Sequence, residues 1–141
     1  MKRLIVSVIA FVVLSSLAAY AEEQQTSPEA ESPVKAEMRL LNAAFINLID
    51  SLVLNNPQAI EEPFHEVHKA KANTEEALKK GELKLPKNGD KIKQFVRMDE
   101  QFHRKTEAML AAARKGNMRM VQNMTHKLLN GCVQCHRMFR N

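Results

Sequence analysis

Through most of this chain, apolar residues recur at alternating three- and four-residue intervals, the period of a helix with one buried stripe. The first stripe runs from about Lys35 to Leu54 and uses Met38, Leu41, Phe45, Leu48 and Leu52. Asn55-Asn56-Pro57 stops it. The second, from Pro57 to Lys80, uses Ile60, Phe64, Val67, Thr74 and Leu78, and Gly81 stands where a left-handed cap is wanted. A turn-rich connection over 82–89 leads to the third, from Asp90 (a candidate cap) to Lys115, with Ile92, Phe95, Phe102, Met109 and Ala113. The fourth follows Gly116-Asn117 and carries Val121, Met124, Leu128, Cys132, Cys135 and Phe139 on one side. No segment alternates as a strand does. Four such helices with short connections predict an all-α fold, an antiparallel up-and-down four-helix bundle over 35–141.

The N-terminus has a different character. Lys2 and Arg3 precede an apolar run from Leu4 to Leu17 broken only by serines, and Ala19-Tyr20-Ala21 supplies a small–x–small cleavage site. The run is shorter than the roughly 20 residues of a spanning helix. Residues 1–21 are therefore expected to be a cleavable signal peptide, and the mature protein to be periplasmic, with no membrane span after cleavage. Residues 22–34 are polar, contain Pro28 and Pro33, and read as a flexible linker.

Removing Lys2 and Arg3 from the 21 basic residues leaves 19 against 16 acidic ones, interspersed along the chain. With no Trp, and its one Tyr in the export segment, the chain offers neither a basic patch nor a stacking platform for nucleic acid.

The only two cysteines stand in Cys132-Val133-Gln134-Cys135-His136. Two thiols three apart with a histidine after the second form the attachment signature of a c-type haem. The thiols add to the haem vinyl groups as thioethers, and the neutral imidazole of His136 ligates the iron. A zinc site wants four ligands, and no second cysteine pair exists. A redox dithiol is expected beside a strand, and a disulfide leaves His136 unexplained. One haem c per chain is the expectation, filling the thin core of a small bundle.

The helical pattern with this motif on the last helix resembles the class II c-type cytochromes, the cytochrome c-prime family and its low-spin relatives. The resemblance is closest over Phe95 to Arg140, in Phe102, Leu110-Ala111-Ala112-Ala113, Gly116-Asn117, Cys132 to His136, and Phe139-Arg140. The family usually has Gly-Asp and Tyr-Arg where this chain has Gly-Asn and Phe-Arg. The resemblance implies covalent haem on Cys132 and Cys135, His136 as proximal ligand, and Phe139 and Arg140 beside the haem. It also implies a homodimer through the first two helices.

Function then turns on the other axial position. A methionine of the first helix ligates the iron in the low-spin electron carriers; an apolar residue leaves it open in the gas-binding members. Met38 is the leading candidate ligand, followed by His68 and then His103, with an open site as the alternative, while His65 and His126 read as surface residues. The expected function is periplasmic electron transfer without turnover, with redox proteins as partners. The alternative is a five-coordinate cytochrome that binds nitric oxide or carbon monoxide. Lys79, Lys80, Lys84 and Lys87 cluster at the end of the second helix and read as a solvated run or a docking patch.

Overall fold

Four helices account for most of residues 31–140, the part of the chain that the computed structural model describes. They are α1 (Pro33–Val53), α2 (Glu61–Lys79), α3 (Ile92–Arg114) and α4 (Met118–Phe139), with short 3-10 turns at Pro57–Ala59 and Gly89–Lys91. Among the described residues there is no strand, and no helix is long and apolar enough to cross a membrane. The expected signal peptide lies outside the described residues.

The helix ends follow local chemistry. Ser32 caps α1, its hydroxyl accepting from the Lys35 N–H, and Pro33 occupies the first helical position. Proline is favoured there because that N–H has no helical partner in any case. Pro33 and Val34, the last two residues of the linker expected over 22–34, therefore belong to α1, and residues 22–30 of that linker lie outside the described residues. Asp90 does not cap α3. It sits inside the 3-10 turn that follows left-handed Asn88, and the capping position falls to Lys91, which makes no side-chain cap. Asn117 caps α4, its side chain accepting from the Met120 N–H at 3.1 Å.

Gly81 and Gly116 end α2 and α3 with positive φ of 70° and 66°, a conformation in which a Cβ is strained. Nothing lies within 4 Å of a Cβ built at either position. Gly116→Ala is therefore expected to destabilise by about 1 kcal/mol through backbone strain alone. Denaturant unfolding should show a shifted midpoint with an unchanged slope.

The helices form two close hairpins, α1 with α2 and α3 with α4, which meet along a looser seam. The apolar core is lopsided. Leu41, Ala44, Phe45 and Leu48 pack with Ile60, Phe64 and Val67, with Met109, Leu110, Ala112 and Ala113, and with Val121, Met124 and Leu128. In an antiparallel arrangement these residues share one half of the bundle. In the other half, α2 buries only Ala70, Thr74 and Ala77, and the buried partners on α1 and α3 include Glu37 and His103. Small and polar residues thus line the half that also contains Cys132 to His136.

Candidate functional site

The last two turns of α4 carry the motif. Residues three apart on a helix lie on nearly the same face, so Cys132 and Cys135 sit together, both half-buried and free of a disulfide. Burial pushes the Cys132 thiol up. Burial, then the nearby charge of Asp99 and Cys132 itself, push Cys135 up to about 11. Both are thiols at neutral pH, whereas catalytic dithiols run on a lowered pKa.

His136 is half-buried, and burial followed by the Arg140 charge holds its pKa below the ordinary value, which leaves a neutral imidazole. Among the described residues its ring makes no hydrogen bond or ion pair. It opens onto a cleft of about 550 Å³ lined by Lys87, Val133, Arg137 and Arg140. Lys87 reaches this place because its connection is strapped to the end of α4. The Lys87 N–H donates to the Phe139 carbonyl at 3.2 Å, and the Asn88 amide donates to the Met138 carbonyl at 2.6 Å. Arg140 is exposed and its N–H donates to the His136 carbonyl at 2.9 Å, while Phe139 is buried edge-on against Phe95, ring centroids 5.5 Å apart.

Of the expected lysine cluster, only Lys87 joins the motif. Lys80 pairs with Glu76 at 2.6 Å, and that bond raises its pKa. Lys79 and Lys84 are exposed.

The three candidates for the opposite axial position differ in their engagements. Met38 is partly buried against the apolar core, with no polar partner. The His68 Nε2 lies 3.0 Å from Glu107, and burial lowers its pKa more than Glu107 raises it. The His103 Nε2 lies 3.0 Å from the Glu37 carboxylate and 3.5 Å from Asp99. His126 is exposed, and exposed His65 lies 3.6 Å from Glu61.

Glu37 was not legible as a polar site in the helical pattern, yet it is 1 % exposed. Its second oxygen accepts from the Thr74 hydroxyl at 2.6 Å. Asp99 in turn faces the Lys71 ammonium at 3.8 Å, and Lys71 also pairs with Glu75. A charged network therefore ties α1 to α2 and α3 beside the motif. A glutamate four before Leu41 and eight before Phe45 was the available signal, because those offsets fall on one helix face.

Among the described residues, the large apolar side chains left exposed are Ile46, Ile49, Val53 and Leu54 on or just after α1, and Met120, Leu129 and Val133 on α4.

The chain matches no family model, no curated protein and no solved structure.

Proposed function

We propose that this protein is a monohaem c-type cytochrome of the periplasm that carries electrons. The observation that carries the proposal is the combination on α4 of two adjacent unbonded thiols with a neutral imidazole that has no other partner. That donor set fits haem c: Cys132 and Cys135 would hold the group as thioethers, and His136 would ligate its iron. Lys87, Arg137 and Arg140 around the cleft suit the carboxylates of haem propionates, because cations there offset their charge. On α2 the buried residues of the half that holds the motif are Ala70, Thr74 and Ala77, side chains too small to fill a core by themselves. Haem supplies a one-electron couple, and the fold would contribute rigid axial ligation, a partly dry surround and an exposed edge for transient docking.

The engagements of the histidines favour Met38 for the second axial position. His68 and His103 already face carboxylates, while Met38 has no competing polar partner. A thioether there raises the reduction potential relative to a second histidine.

The test is the optical spectrum of protein made in a haem-attaching host, oxidised and reduced, with and without carbon monoxide. Sharp α and β bands that ignore the gas are expected. A high-spin spectrum that shifts promptly on adding gas overturns electron transfer in favour of gas binding, and a colourless protein overturns both.

A further inference from the structure

We infer that Glu37, Asp99 and His103 form a buried site for one divalent first-row transition-metal ion, separate from the thiols and from His136. This inference does not rest on the haem reading. The three donor atoms lie within 4.8 Å of one another. The His103 Nε2 is 3.0 Å from the Glu37 Oε1 and 3.5 Å from the Asp99 Oδ1. Ligands about 2.1 Å from one ion stand about 3.0 Å apart at octahedral and about 3.4 Å apart at tetrahedral angles. The observed spacing needs little adjustment to admit an ion.

The surrounding groups fix the two carboxylates as outer partners of a metal site do. The Thr74 hydroxyl holds the Glu37 Oε2 at 2.6 Å, and the Lys71 ammonium lies 3.8 Å from the Asp99 Oδ2. Each carboxylate therefore has its outer oxygen occupied and its inner oxygen turned towards Nε2. Asp99 and His103 are one turn apart on α3, which places them on one face. The side chains are 1 % (Glu37), 9 % (His103) and 16 % (Asp99) exposed, so few waters compete.

Charge also favours a cation. Glu37, Asp99 and Glu75 bring three negative charges and Lys71 one positive. An imidazolium at His103 leaves the group one charge negative, whereas a divalent ion beside a neutral His103 brings it to zero. The His103 Nδ1 is buried without a partner. In the metal-free chain an imidazolium at His103 pairs with both carboxylates, and an ion on Nε2 would take the place of its proton. One nitrogen and two carboxylate donors suit zinc, manganese or ferrous iron, and are too few for calcium.

The test is to load the purified full-length protein with zinc, dialyse it exhaustively and measure zinc per chain by elemental analysis, which separates it from haem iron. About one zinc per chain is expected. Retention should fall about tenfold or more in Glu37→Gln, Asp99→Asn and His103→Gln. It should persist in His126→Ala, which removes an exposed histidine, and in the Cys132→Ala, Cys135→Ala chain. Asp99 is the least buried ligand, so Asp99→Asn gives the readout in a chain whose fold is checked by circular dichroism. The inference is overturned if the wild type retains no zinc, if the three substitutions leave retention unchanged, or if removing the thiols abolishes it. The colour of the same preparations reports on haem separately.

Discussion

A chain carrying Cys132→Ser and Cys135→Ser is expected to leave a haem-attaching host with no covalently bound haem, a complete loss rather than a graded one. The wild type should retain its colour after unfolding and acid–acetone extraction, because thioethers survive both. Serine is close to cysteine in size, so α4 keeps its shape and the half-buried positions stay filled. What changes is only the sulfur that would form the bond. Either single substitution should leave one thioether and shift the reduced spectrum, since one vinyl group stays conjugated. His136→Ala should retain covalent colour but lose the low-spin spectrum, which separates attachment from ligation. Extractable haem in the wild type would sink the covalent proposal even if the protein were purified red.

The contrast between this motif and the buried network shows what sequence could reveal. The helices were readable because each stripe keeps the three–four spacing and ends at a breaker such as Asn55-Asn56-Pro57 or Gly116. The placing of Cys132, Cys135 and His136 together on the last helix was readable because it follows from local spacing. Glu37 was not, because its partners Thr74 and His103 stand 37 and 66 residues away. An apolar count also treats a glutamate on the stripe as noise. Likewise, nothing local announces that Lys87 reaches the His136 cleft. That depends on a left-handed Asn88 and two bonds from its connection to the carbonyls at the end of α4. The errors at helix ends have a similar origin. Pro33 and Asp90 each carry a familiar signal, and position within the turn decides whether it starts a helix or merely precedes one.

Removing Glu37 should cost more stability than any single apolar truncation in the half of the bundle that holds the motif. Glu37→Ala leaves the Thr74 hydroxyl without its acceptor and His103 with Asp99 alone. Breaking a buried charged pair from one side costs about 3–5 kcal/mol. Glu37→Gln should cost less, since its carbonyl still accepts from Thr74. The pH dependence identifies the partner. In metal-free protein, burial pulls the His103 pKa down, but the hydrogen bonds its ring donates to Asp99 and Glu37, with their charges, raise it from 6.5 to about 9. A folded-state pKa above the unfolded one gives a stabilisation that is complete below pH 6.5 and is lost as pH rises through about 9. The shift corresponds to of order 2–3 kcal/mol once partial solvent screening is allowed for. Urea unfolding of chelator-treated wild type should therefore weaken between pH 6.5 and 9. His103→Gln should be flat across that window, and Glu37→Ala should show a shallower slope than the wild type. Equal slopes in the wild type and His103→Gln would mean that His103 is neutral in the folded chain. The carboxylates would then be held by Thr74 and Lys71 without it.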